Sequence, residues 1–582
     1  MRTRPLLLLA AIGGATAMVA APAVTAAPVP TGCAGHAAAT AYRAGGQVVA
    51  PTPSGAPFAC GFGTGFAAAE SHIVATPRGD IVYTPAVVPS GVLGVGSGPD
   101  VLTTQANATP AGITATSDGG AHWRLIEPDG VTWNPTDHGD YVDPRSGRLF
   151  FEDYGPIPLA PQLGADQEGP AYISRTDDLH TWQHSVILGL TLPENPRFTS
   201  GVAAAGQSAP TGGYPSVLYF CANTNVGFTS PAIVGRNCYR SLDGGATWVQ
   251  RSQLLNAEVP RHPECGTSGE TITAVDGYYP EATSDGDLYT LVACGGSTYL
   301  ARSTDEAATF PILSTSPGPL THLPTDSVID IGSGPQLRID GSDNFYVVYP
   351  QPSGRKLMLI TSSDRGRTWT APMDITPPGI VDIVRWAVAV HGDGRLALAI
   401  AGQRSGVATY DAIMAVTANA LATPPTFWTA PTNTKPLLYG NHIEGAGNIA
   451  LGQGQIAVPF PFPLGIQATG PVVAGMDFMG VTFGPDGSVW GSFDQDCGPT
   501  SSSPGCVATN DQTRGFVGAL RPHTVATAPA RTRRPVGRRP TQAHAPTGVL
   551  AATGTPTALA GLATLLAVSA LLVVRTRRRA RG

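Results

Sequence analysis

The sequence predicts an all-β repeat protein, and three observations point there. The pattern Ser-x-Asp-x-Gly-x-Thr-Trp stands intact at residues 241–248 and returns in degraded form at 116–123, 175–182, 303–310 and 362–369. Read as Asp118, Asp177, Asp243, Asp305 and Asp364, its aspartates step by 59, 66, 62 and 59 residues, a period regular enough to mark one structural unit per copy. The chain also holds 71 Gly and 54 Pro with only 13% charged residues, a balance that suits many short strands better than helices. Between the copies, apolar runs of strand length alternate with Gly, Pro, Asn and Asp clusters.

The pattern has a local mechanism. Ser and Asp side chains bond to nearby backbone amides, Gly permits a positive φ, and Thr-Trp re-enters a strand where the ring can pack. The five copies resemble the Asp box, or BNR repeat, of sialidases and other β-propellers, where it lies between the third and fourth strands of a blade. The resemblance implies a β-propeller and assigns the five box aspartates to turn building. It says little about chemistry.

Taken in order, the first unit reads strand, Pro-Arg-Gly-Asp turn, strand over 71–83, and 139–151 repeats the plan. The third runs through 200–205 and 217–221 into the intact copy. The fourth starts at 270–275 and continues through 288–294 and 299–303. The fifth is read from 335–340, 345–349 and 356–361. Two units without a box follow: 386–400, 410–416 and 427–428 form one, and 448–451, 456–460, 477–483 and 488–493 the other. The count is seven four-stranded blades over 66–520, with six, the sialidase number, as the competing count.

The two ends carry their own signals. Residues 1–27 show a basic start, an apolar run and small residues before a cleavage position, the zones of a secretory signal peptide. Residues 28–65 read as an extended lead-in. Residues 521–549 form a Pro, Ala, Thr and Arg-rich stalk without apolar periodicity, expected to be disordered. Over 550–582, Leu550-Ala-Ala-Thr553-Gly554, an apolar stretch and an arginine-rich tail resemble an LAxTG-type sortase sorting signal. That resemblance implies cleavage between Thr553 and Gly554, with sortase and cell-wall peptidoglycan as partners. The stretch 558–574 is itself just long enough for a transmembrane helix, so a plain membrane anchor is the alternative. Either way the body is expected outside the cell.

The two ends hold thirteen of the 35 basic residues and none of the 41 acidic ones, which leaves the body 28–520 with a net charge of −19. So acidic a body excludes nucleic acid as a partner class. The eight cysteines fall into neighbours along the chain, and export favours local disulfides Cys33–Cys60, Cys221–Cys238, Cys265–Cys294 and Cys497–Cys506. They lack zinc-site spacing, and no metal or cofactor is called for. A monomer is expected.

In a propeller the first strand of each blade lines the central channel. The polar residues at or before those strands are Glu70, His72, Asp140, Arg197, Glu270, Asp330, Arg385, His442 and Glu444, the candidate channel-mouth set. Sialidases hold a substrate carboxylate with three arginines and add a Tyr nucleophile, a Glu and an Asp. Here the opening strand reads Ala69-Glu-Ser-His-Ile, with an acid where that family has its first arginine. No Walker loop, His-Glu-x-x-His, EF-hand loop or Gly-x-Ser-x-Gly is present, and Asp494-Gln-Asp496 is too short for calcium. The expectation is a surface propeller that binds a glycan or glycoprotein without clear catalytic residues. The alternatives are an exo-α-sialidase or other glycoside hydrolase, and an adhesion protein with a protein partner.

Overall fold

Glycine and aspartate turns set the architecture. In the intact copy Ser241 Oγ donates to Asp243 Oδ1 (2.8 Å) and accepts from Gly245 N (2.9 Å), while the amides of Ala246 and Thr247 close on Asp243 Oδ1 at 3.0 and 2.9 Å. Gly244 and Gly245 have φ of 70° and 85°, and a Cβ on Gly245 would stand 2.6 Å from the Phe150 ring. The copies at Asp118, Asp305 and Asp364 close the same way.

The second copy departs from the reading above. Asp178, not Asp177, takes the box role: Thr176 Oγ1 donates to it, and the amides of His180 and Thr181 reach its Oδ1 at 2.8 and 2.7 Å. The turn is one residue shorter, and buried Leu179 takes a left-handed φ of 62°, as the glycines do in the copies at Asp118 and Asp243 and as Glu306 and Ala307 do in the fourth. Asp177 points outward and pairs with Arg148 through both carboxylate oxygens, at 2.8 and 2.9 Å.

The computed structural model describes residues 30, 32–50, 55–68, 71–85, 113–126, 139–153, 171–187, 193–225, 233–253, 280–294, 297–313, 335–351, 356–407, 409–439, 479–496 and 513–522, all within the compact unit Met1–Ala526. Three strands come first: β1 (Thr40–Arg43), β2 (Gln47–Val48) and β3 (Phe58–Ala67). Sheet one holds β4 (His72–Ala75), β5 (Ile81–Thr84), β6 (Thr114–Thr116) and β7 (Arg124–Leu125). Sheet two holds β8 (Gly139–Val142), β9 (Leu149–Asp153), β10 (Ala171–Thr176) and β11 (Trp182–Ile187). Sheet three holds β12 (Pro193–Gly201), β13 (Val217–Asn225), β14 (Ile233–Ser241) and β15 (Val249–Gln253). Sheet four holds β16 (Glu281–Ala282), β17 (Leu288–Cys294) and β18 (Ser297–Ser303), with a bridge from Ala301 to Ile312 as the stub of a fourth strand. Sheet five holds β19 (Gln336–Ile339), β20 (Phe345–Pro350), β21 (Leu357–Ser362) and β22 (Met373–Asp374). Sheet six holds β23 (Ile380–Val390), β24 (Leu396–Arg404), β25 (Thr409–Thr417), β26 (Thr426–Pro431) and the short β27 (Leu438–Tyr439). Sheet seven holds β28 (Val481–Phe483), β29 (Val489–Asp496) and β30 (Thr513–Arg521).

Each sheet is an antiparallel meander, and each first strand packs against the first strand of the next sheet: β4 on β8, β8 on β12, β12 on β16, β16 on β19, β19 on β23, β23 on β28, and β28 back on β4. Sheets arranged around a ring of first strands make a β-propeller, all-β and without a helix among the described residues. Because every sheet is covered on both faces, the middle strands are continuously apolar instead of alternating. All six residues of β20 and of β21 are buried. The box turns lie after the third strand of each sheet that carries one, at the end where the first strands finish.

Arginines stitch that end together. Arg148 reaches Gly244 O in the box turn of sheet three (3.0 Å), as Arg175 reaches Gly245 O (2.9 Å). Arg251 holds Glu306 O and Asp305 O in the turn of sheet four, and Arg521 of sheet seven approaches Gly119 O of sheet one. Box carbonyls freed by tight turns thus find donors on a neighbouring sheet.

The N-terminal segment corrects the reading of 28–65 as a lead-in. β1 pairs with β26 and extends sheet six, while β3 pairs with β30 and supplies the outer strand of sheet seven. The propeller therefore begins well before residue 66, and Arg521 belongs to its last strand. Cys33–Cys60 and Cys221–Cys238 are disulfides, the second joining directly opposed residues of β13 and β14. Cys265, Cys497 and Cys506 lie outside the described residues, as does the side chain of Cys294. So do the signal peptide, the stalk and the sorting segment with Leu550, Thr553 and Gly554. Among the described residues no helix is long and apolar enough to cross a membrane.

Candidate functional site

The seven first strands wall the channel, and register places their side chains by height. Asp140, second on β8, opposes Phe151, and its carboxylate accepts a hydrogen bond from Thr84 Oγ1 of sheet one at 3.1 Å. Enclosure in the ring strips water from it and lifts its pKa from 3.8 to about 7, against the opposing pull of the Thr84 bond and the charge of Arg197. Arg197 stands on β12 of the next sheet and donates to Pro196 O at 2.8 Å. His72 opens β4, buried, directly opposite Thr84. The structure thus brings His72, Asp140 and Arg197 to the end of the channel where the first strands begin, on three consecutive sheets. Arg385, half-buried on β23, stands three sheets further round from Arg197. Glu70, Glu270, Asp330, His442 and Glu444 lie outside the described residues.

Sequence reasoning missed a second group on the same wall, one residue further along β8 towards the box turns. Tyr141, Ser200, Glu281 and Arg338 each stand one residue before the last pair of β8, β12, β16 and β19, and so share one height. Tyr141 Oη and Ser200 Oγ lie 2.8 Å apart, and Ser200 Oγ donates to Asp143 at 2.7 Å. Arg338 Nη1 lies 3.4 Å from Glu281, while its Nε donates to Val388 O of sheet six at 2.9 Å. Enclosure raises Glu281 from 4.5 to about 7, and the Arg338 charge holds it from rising further. Burial raises the Tyr141 phenol, and the charges of Asp143 and Glu281 push it the same way, so it is no activated nucleophile.

Glu281 was missed because Thr-Ile-Thr-Ala-Val at 271–275 is the stronger strand former, so the first strand of the fourth unit was placed there. The signal lay in the turn that follows. Ala282-Thr-Ser-Asp-Gly-Asp-Leu288 matches Ala75-Thr-Pro-Arg-Gly-Asp-Ile81, and both close with Thr N on Asp O (2.9 and 2.8 Å) and Gly N on Thr O (3.0 and 2.9 Å). Asp494 accepts from Tyr83 Oη at 2.9 Å, a buried contact between sheets seven and one. Among the described residues no three His, Cys, Asp or Glu side chains are grouped to hold a metal.

No family model and no curated protein matches the chain. Among solved structures it is similar to a protein of unknown function from Dyadobacter fermentans, at 13% identity over 79% of this chain and 98% of that one, with a TM-score of 0.34. It is also similar to the Aleuria aurantia lectin, a six-bladed β-propeller with a fucose recognition mode (10% identity, 63% and 97% covered, TM-score 0.34). A third similarity is to the NanB sialidase of Streptococcus pneumoniae (10%, 68% and 70%, 0.33). At these identities and TM-scores the likenesses carry no argument for a shared activity.

Proposed function

We propose that this chain is an exported, surface-anchored propeller that binds an extracellular glycan at the channel end where the first strands begin. The observation that carries the reading is the group Thr84, Asp140 and Arg197 on three consecutive sheets. It sets a carboxyl acceptor and a guanidinium donor on a channel wall, partners suited to sugar hydroxyls. Arg197 and Arg338 are engaged by main-chain carbonyls, which supports recognition over the three-arginine capture of a sialic acid carboxylate. The signal peptide and LAATG segment support export and attachment to peptidoglycan by a sortase. The seven sheets and their ring of first strands support seven blades. A glycan array probed with purified 28–526 tests the reading: Asp140→Asn and Arg197→Ala are expected to lose the wild-type signal, and a signal unchanged in both sinks it.

A second reading, glycoside hydrolysis, is supported by Asp140 and Glu281, two carboxyls held near neutrality on one channel wall. Turnover of a fluorogenic sialoside by the wild-type protein, abolished in Arg385→Ala, is the outcome that favours it.

A further inference from the structure

The box turns at Asp118 and Asp243 reach their left-handed corner with two glycines, but the turn of sheet four puts Glu306 and Ala307 there, at φ of 56° and 64°. Side chains enter that region only against steric resistance, so the folded protein has to hold Glu306 in it. Sheet three does so. Arg251 is the extra residue of a bulge on β15, between the pairs Cys238–Ser252 and Tyr239–Gln250. The bulge aims it at the turn, where its Nε donates to Glu306 O at 3.0 Å and its Nη2 to Asp305 O at 2.8 Å. Arg240 of β14 takes the side chain instead, with Nη1 donating to Glu306 Oε2.

Three polar atoms are left over around this ion pair. Glu306 is fully buried, and its Oε1 has no hydrogen-bond partner. The same holds for Nε of Arg240 and for Oη of Tyr219, which is also fully buried and stands directly opposite Arg240 in the register of β13 and β14. Burial raises the Tyr219 phenol and the Glu306 charge pushes it the same way, against the pull of Arg240, so it keeps its proton. Buried polar atoms in native proteins are almost always satisfied, and three orphans around one ion pair mark a place where something binds.

Their hydrogen-bond needs identify the guest. Tyr219 Oη and Arg240 Nε each offer a proton, and Glu306 Oε1 offers a lone pair. The guest must therefore accept twice and donate at least once. A metal cation cannot accept from the two donors and would face the Arg240 charge, while a halide has no proton for Glu306 and would face its carboxylate. A water molecule meets all three needs, and three bonds is its usual number inside a protein.

The geometry points to a single-water site between sheets three and four, in which one water accepts from Tyr219 Oη and Arg240 Nε, donates to Glu306 Oε1, and so ties the box turn of sheet four to the middle strands of sheet three. It uses none of the channel-wall residues and stands whether or not the mouth binds a glycan.

A high-resolution crystal structure of the exported chain is the direct test. One isolated solvent peak at about 2.7–3.2 Å from Tyr219 Oη, Arg240 Nε and Glu306 Oε1 is expected. A map without that peak, or with one at a cation's distance of about 2.4 Å from Glu306 Oε1, overturns the site. In solution, Tyr219→Phe removes one donor at nearly constant shape and is expected to lower the melting temperature by about 2 °C. Glu306→Gly supplies the glycine found in the copies at Asp118 and Asp243 and removes the acceptor. Tyr219 and Glu306 share no direct hydrogen bond, so a common guest makes their losses overlap, and the double variant is expected to lose less than the sum of the two single variants. Strict additivity, or a Tyr219→Phe protein that melts as wild type does, overturns the site.

Discussion

Two carboxylates beside each other show how position, not residue type, sets a role. Asp178 accepts two backbone amides, which hold its carboxyl low, at about 2, whereas neighbouring Asp177 is exposed and, outside the turn, pairs only with the Arg148 side chain. Asp178→Ala is therefore expected to lower the melting temperature more than Asp177→Ala, as read by calorimetry. Glu281 runs opposite in sign. Its pKa is raised from 4.5 to about 7, so the folded chain holds the proton more tightly than the unfolded one. That contribution is whole below about pH 4.5 and is lost as pH rises through about 7. Glu281→Gln is expected to match wild type at the acid end and to exceed it by up to about 3 kcal/mol at about pH 8, in urea midpoints taken at both values. Asp140→Asn is expected to move the same way.

At the scale of the element, the hairpin β13–β14 is closed twice, by its register and by Cys221–Cys238, which bridges 17 residues. Replacing both cysteines with alanine is expected to cost about 3 kcal/mol by the loop-entropy estimate, measured by denaturant unfolding. The apolar runs of the middle strands and the turn sequences were both legible beforehand, and β19, β20 and β21 lie within about a residue or two of the strands read from 335–361. Short strands with weak propensity were not. β16 is two residues long, and only the ring around it makes Glu281–Ala282 a strand.

For the whole molecule, closure depends on the N-terminal segment. β3 covers β30 and β1 covers β26, so deleting 28–67 leaves two outer strand edges open and removes Cys33–Cys60. The truncated protein is expected to elute as oligomers in size-exclusion chromatography. A monomer with the wild-type melting temperature refutes the closure role.

The sequence by itself determined the repeat, its turns and the all-β character, because each rests on hydrogen bonds spanning two to four residues and on local apolar runs. Tertiary structure alone decided that residues 40–67 complete sheets six and seven and that Glu281 meets Arg338. These follow from pairings between segments dozens to hundreds of residues apart, for which a single sequence holds no local signal, since the free energy that selects them arises only when the ring closes.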